Sequence, residues 1–116
     1  MLSFNSYGDW DEVGEDTEGI TSYIDTDTIK KHEGYIYYWV MSDYLKPNEY
    51  GTFSAKAYIQ GDCGVLKIKY LSYIFYKQPK GEGIGATFTP SNSKWEYPTP
   101  ESSGGVKLNY VCDNVD

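Results

Sequence analysis

The chain has 116 residues and a formal net charge of −7. This length suits one domain, which we expect over residues 1–116, with residues 1–8 as a flexible arm. The chain is acidic and has ten lysines but no arginine, which argues against a surface that binds the phosphate backbone of nucleic acids. We therefore expect no nucleic-acid partner. The longest apolar run, residues 35–41, is far shorter than the roughly 20 residues of a membrane helix, so we expect no membrane span.

The first half of the chain predicts four elements, and its thirteen tyrosines favour a β-rich fold. Residues 10–13 and 21–25 are typical of short strands. Residues 28–31 are predicted to form a helical turn with Asp27 as its N-cap. Residues 35–41 are apolar on both faces, which predicts a central strand that is covered on both sides.

The second half predicts three more strands and one helix. Residues 53–59 alternate like a half-buried strand, and residues 86–89 are expected to form the last strand. Residues 65–77 are long enough to predict a bend or bulge. A C-terminal helix is expected after Thr99 as N-cap, with Pro100 in its first turn. Leu108 and Cys112 would then share one helix face.

The two cysteines, Cys63 and Cys112, have no neighbouring Cys or His and so no metal-ligand spacing. A disulfide is their simplest use; it would close a loop of about 50 residues, contribute about 4 kcal/mol and indicate an oxidising compartment. Two buried thiols in a cytosolic protein are the alternative. Residues 1–10 lack the segments of a signal peptide, and we expect that a leader has been removed.

No motif supports catalysis or a cofactor. The single histidine, His32, follows two lysines at a predicted turn and is expected at the surface. The spacing Gly81-x-Gly83-x-x-Ala86 matches a dinucleotide-binding fingerprint. That fingerprint needs a helix directly after it, whereas the sequence up to Pro90 is typical of a strand. The spacing from Asp9 to Gly14 fails as a calcium loop. We therefore expect no enzyme, no metal and no cofactor.

The order of landmarks along the chain carries a resemblance. These landmarks are Trp10, Tyr23-Ile24-Asp25, Ile29, Trp39, Asp43-Tyr44, Ser54-x-Lys56, Asp62-Cys63, Tyr70, Tyr73, Tyr76, Gly81, Trp95, Pro100-x-Ser102 and Val111-Cys112. Over about residues 9–113 the sequence resembles the surface-adhesin protein E family of small exported bacterial proteins and lipoproteins. It departs from the family pattern at Glu101, where the family has Gly, and it has no cysteine for a lipid anchor.

The resemblance implies an α+β, mostly β fold. A single antiparallel sheet of about six strands would carry a C-terminal helix on one face, and a Cys63–Cys112 disulfide would tether that helix. It also implies export to the periplasm or cell surface and adhesin-like binding of host proteins. Membership alone does not establish that role, because function depends on surface sites rather than on the fold.

Three functions follow as hypotheses. The first is a non-enzymatic, extracytoplasmic module that binds a host or envelope protein through the candidates Tyr35, Tyr37, Lys67, Lys69 and Tyr73. The second is a small-ligand or glycan-binding domain that uses exposed aromatic rings. The third is an envelope subunit that pairs as a homodimer, because the first 29 residues carry eight carboxylates and residues 65–94 carry five lysines.

Overall fold

The computed structural model describes residues 10–114, and within them one antiparallel sheet of seven strands is followed by one helix. The elements are β1 (Trp10–Glu15), β2 (Thr21–Asp25), β3 (Lys30–His32), β4 (Tyr35–Asp43), β5 (Ser54–Asp62), β6 (Lys67–Tyr76), β7 (Ala86–Phe88) and α1 (Ser103–Asp113). The strand order is β1-β2-β4-β5-β6-β7, and β3 pairs with β4 next to the end of β2. The predicted α+β, mostly β class is confirmed. The arm predicted for residues 1–8 lies outside the described residues.

The core lies between one face of the sheet and α1. Alternate residues of β4 point toward the helix, which follows from the two-residue period of a strand. The buried apolar side chains of this layer are Ile24, Ile36, Tyr38, Val40, Ile59, Ile68, Leu108 and Val111. Each contributes about 1.5–3 kcal/mol by leaving water. The expected cover on both faces of β4 is correct only in part: α1 covers one face, and on the other face Met41 is buried whereas Tyr35, Tyr37 and Trp39 stay half-exposed.

The helical turn predicted for residues 28–31 is wrong. Lys30–His32 is strand β3, which forms a hairpin with β4 through the two residues Glu33 and Gly34. Both have positive φ, 52° and 89°, as a two-residue hairpin turn requires. A 3-10 turn lies earlier, at Thr26–Thr28, where the Asp25 carboxylate accepts a hydrogen bond from the Asp27 amide.

A bulge in β6 decides which side chains share a face. Tyr58 pairs with Ser72, and the next residue of β5, Ile59, pairs with Tyr70, so Leu71 is the extra residue. The bulge predicted in this long strand is confirmed. Because one extra residue reverses the alternation, Lys67 and Lys69 lie on the face away from α1, whereas Tyr73 lies on the face toward it.

The helix begins later than the sequence predicts, and its far end is held covalently. Ser102, not Thr99, is the N-cap, because its Oγ accepts a hydrogen bond from the Gly105 amide at 3.1 Å. The Ser102 hydroxyl also donates to the Thr99 carbonyl at 2.7 Å. A disulfide joins Cys63, in the turn after β5, to Cys112 in α1. The predicted tether between sheet and helix is therefore confirmed.

Candidate binding face

The sheet face away from α1 carries aromatic rings and lysines over three neighbouring strands. We call it the aromatic–lysine face, and we define it by Tyr35, Tyr37, Trp39, Tyr58, Lys67, Lys69 and Trp95. Tyr35, Tyr37 and Trp39 alternate along β4 with the buried core residues, so the strand period alone places them on this face. Within residues 10–114, α1 lies on the opposite face, and a 3-10 turn, Pro79–Gly81, packs on this face only beside Met41 and Lys56.

The rings of the face contact one another across the strands. The ring centroids of Trp39 and Tyr58 are 4.8 Å apart, and those of Tyr37 and Tyr58 are 6.2 Å apart. The Gln60 amide donates a hydrogen bond to the Tyr37 hydroxyl at 3.1 Å. Partial burial and the neighbouring Tyr37 raise the pKa of Tyr58, so its hydroxyl stays protonated at neutral pH. These contacts order the rings before any partner arrives.

Two lysines share one indole ring on this face. The ammonium groups of Lys67 and Lys69 lie 4.3 Å and 4.7 Å from the centroid of the Trp95 ring. Each such contact contributes about 0.5–1 kcal/mol at an exposed site. Asp62, the strand partner of Lys67, accepts hydrogen bonds from the amides of Gly64 and Val65 instead of pairing with the lysine. Neither lysine forms an ion pair within residues 10–114, so both positive charges can face an outside anion.

Lysine–aromatic contacts continue toward the β1 side of the same face. The Lys56 ammonium lies 5.4 Å from the Trp10 ring and 5.2 Å from the Tyr76 ring. The Lys80 ammonium lies 5.2 Å from the Tyr23 ring. Within the part of the chain that the structure describes, none of the lysines forms an ion pair, and the acid–base contact found is His32 Nε2 with a Glu33 carboxylate oxygen, at 3.7 Å in the β3–β4 hairpin. Lysine ammonium groups therefore lie over aromatic rings at several places on this side of the sheet.

The structure brings together four of the five predicted contact residues. Tyr35, Tyr37, Lys67 and Lys69 lie on the aromatic–lysine face, and Tyr73 lies on the opposite face because of the bulge in β6. Tyr73 instead stacks with its neighbours on the helix side.

Sequence reasoning missed Trp95, whose ring lies 5.4 Å from that of Tyr35. Trp95 belongs to a segment that pairs with the sheet at a single bridge, Ile68 with Glu96. A single bridge leaves no periodic pattern, so the sequence carried no signal that places Trp95 on this face.

The described residues hold neither a metal cluster nor a membrane-spanning helix. Between residues 10 and 114 no three His, Cys, Asp or Glu side chains are placed to hold one ion. Over the same range, no helix has the length and apolar composition that crossing a bilayer requires. His32 is exposed at the β3–β4 turn, as predicted. What the face offers chemically is flat apolar surface, phenol and amide hydrogen bonds, and ammonium groups.

Comparison with known families identifies the chain's relatives. The family model for surface-adhesin protein E matches residues 10–113. The chain belongs to the surface-adhesin protein E family. It is accordingly an adhesin-like surface protein with an extracytoplasmic or cell-surface location, which agrees with its disulfide. A comparison with curated proteins finds no significant match.

Solved structures of a family member share the fold. One structure of Haemophilus influenzae protein E superposes with a TM-score of 0.68 at 15% identity, covering 97% of this chain and 88% of that one. A second crystal form gives 0.66 at 18% identity and 80% coverage of both chains. Protein E from non-typeable Haemophilus influenzae gives 0.65 at 14% identity, covering 97% of this chain and 80% of that one. At such low identity the likeness concerns the fold.

Proposed function

We propose that this protein is a non-enzymatic binding module of the bacterial envelope whose aromatic–lysine face contacts another protein at the periplasm or cell surface. The observation that carries the proposal is the pair Lys67 and Lys69 over Trp95 on a sheet face that α1 leaves uncovered. Membership in a surface-adhesin family supports binding rather than catalysis.

The composition of the face suits a protein partner. Tyr and Trp are enriched at protein interfaces and account for much of the binding energy of hot spots. The rings of Tyr37, Trp39 and Tyr58 are already in contact, so binding would order few side chains and lose little entropy. The ammonium groups of Lys67 and Lys69 favour a partner surface that carries carboxylates, which would also speed association.

A charge-reversal experiment tests this face. The double variant Lys67→Glu/Lys69→Glu should bind its partner at least tenfold more weakly, a loss of about 1.4 kcal/mol or more. The control is Lys31→Glu/Lys46→Glu, which makes the same change in net charge at two exposed lysines outside the face. Binding to a panel of host extracellular-matrix proteins and purified envelope proteins is measured by biolayer interferometry at low and high salt.

The two double variants must differ for the proposal to stand. We expect the control to bind within twofold of the wild type, and we expect wild-type affinity to fall as salt rises. Circular dichroism and thermal melting show whether both variants are folded. Equal binding by the wild type and the Lys67→Glu/Lys69→Glu variant, for every partner found, would show that another surface is used. Pairing of two copies stays a prediction.

A further inference from the structure

A cavity of about 170 Å³ opens between α1 and the sheet, on the face opposite the aromatic–lysine face. It exists because the helix is short. An 11-residue helix spans about 16 Å, whereas the nine and ten residues of β5 and β6 span about 30 Å, so one end of the sheet extends beyond the helix. Ala55 and Ala57 line the cavity from β5, and their small side chains leave the space unfilled.

One wall of the cavity is a row of nearly parallel rings. The Tyr70 and Tyr73 rings lie 5.6 Å apart at an interplanar angle of 15°, and the Tyr73 and Phe75 rings lie 5.9 Å apart at 12°. Because these rings stack on one another, the row presents mainly ring edges to the cavity, against which a planar ring can pack edge to face. The volume suits one such ring, since an engineered apolar cavity of about 150 Å³ holds benzene.

The helix contributes positive charge to the same cavity. Lys107 of α1 lines it, and within residues 10–114 the Lys107 ammonium forms no ion pair and no hydrogen bond. Burial lowers the pKa of Lys107, and the more distant Asp16 carboxylate opposes this shift. Gly104, in the first turn of α1, also lines the cavity, so the positive end of the helix dipole lies beside it. Both features favour an anionic group.

Other charges nearby limit how a ligand can be oriented. Burial first, and then the Glu96 carboxylate, raises the pKa of both Tyr70 and Tyr73, so their hydroxyls stay protonated and can donate hydrogen bonds. An anionic ligand group would be repelled at the Glu96 side. Lys56 also borders the cavity, but its ammonium lies over Trp10 and Tyr76 on the other face.

We propose that this cavity binds a small planar aromatic carboxylate. Its ring lies against the wall of Tyr70, Tyr73 and Phe75, and its carboxylate pairs with the Lys107 ammonium, which forms no direct ion pair within residues 10–114. The apolar wall provides affinity for the ring, and the single ammonium selects the sign of the ligand's charge.

Titration with matched probes tests the site. Benzoate, benzyl alcohol and benzylamine share the ring and differ in charge, and each is added to ¹⁵N-labelled protein while amide chemical shifts are recorded. We expect benzoate to bind with a Kd at or below about 1 mM and to shift the amides of Ala55, Ala57 and Gly104. The two other probes should bind at least tenfold more weakly.

Two lysine variants separate charge recognition from general effects. Lys107→Met keeps the apolar stem and should weaken benzoate binding at least tenfold, while Lys31→Met, at an exposed lysine of β3, should leave it unchanged. A spectrum with native dispersion shows that each variant is folded. The proposal is overturned if benzoate causes no saturable shift, if its shifts map elsewhere, if benzylamine or benzyl alcohol binds equally well, or if Lys107→Met binds benzoate like the wild type.

Discussion

Lys107 is a half-buried cation whose charge lowers the stability of the free protein. Its ammonium has no ion pair within the described residues, and burial lowers its pKa while Asp16 partly restores it. Lys107 also borders a second cleft, between β1 and α1, which Glu15 and Glu101 line. Because the pKa is lower in the folded state, the unfolded chain holds the proton more tightly. The destabilisation is therefore complete below the folded pKa and disappears as pH rises through the unfolded pKa, about 10.4.

Substitution of Lys107 should accordingly stabilise the protein at neutral pH. Lys107→Met removes the buried charge and keeps most of the apolar stem, so we expect a gain of about 1 kcal/mol in the free energy of unfolding at pH 7. The gain should shrink above about pH 10. Urea unfolding at several pH values measures it, with the exposed Lys31→Met as the control. A loss of stability at pH 7 would show that the ammonium is favourably solvated.

Single residues of the candidate face were predictable where they lie in regular strands. Tyr35 and Tyr37 alternate regularly along β4, and Lys67 and Lys69 do so along β6 before its bulge, while the pairing through β5 puts both pairs on one face. Trp95 was missed because its segment touches the sheet through one bridge, and a single bridge leaves no periodic pattern.

The start of α1 depends on one hydroxyl group. Ser102 Oγ accepts from the Gly105 amide, whereas Thr99 contributes its backbone carbonyl as an acceptor. Ser102→Ala should therefore cost about 1 kcal/mol of stability, the usual value for an N-cap. Thr99→Ala is the matched control and should cost less than about 0.5 kcal/mol. Chemical denaturation of both variants measures the difference. A larger loss of stability for Thr99→Ala than for Ser102→Ala would show that Thr99, the N-cap that the sequence predicts, caps the helix.

Elements were predictable where patterns extend over several residues, and less so at their ends and in short pieces. The strands β4, β5 and β6 follow from long apolar patterns; β4 begins at Tyr35 as predicted, and the other boundaries shift by one to three residues. Lys30–His32 became a strand instead of a helical turn because its backbone pairs with β4, a tertiary contact that local propensity does not register. The position of the bulge at Leu71, and with it the face of Tyr73, depends on register between β5 and β6.

The whole molecule combines a wide sheet with little helix. Leu108 and Val111 are the large apolar side chains of α1 that are fully buried, and an 11-residue helix is marginal by itself in water. The position of α1 on the sheet was predictable, because the family resemblance implies a C-terminal helix that a Cys63–Cys112 disulfide tethers to the sheet. The same fold occurs in protein E structures at 14–18% identity, so it tolerates change at most sequence positions.

Removal of the disulfide should show how much the fold depends on this link. The bond closes a loop between residues 49 positions apart, for which chain entropy predicts about 4 kcal/mol, a large part of the 5–15 kcal/mol that stabilises an ordinary domain. Cys63→Ser/Cys112→Ser should lose about this much in urea unfolding. Reduced wild-type protein is the control and should match the variant. If the variant stays within about 1 kcal/mol of the oxidised wild type, packing of Leu108 and Val111 alone holds the helix on the sheet.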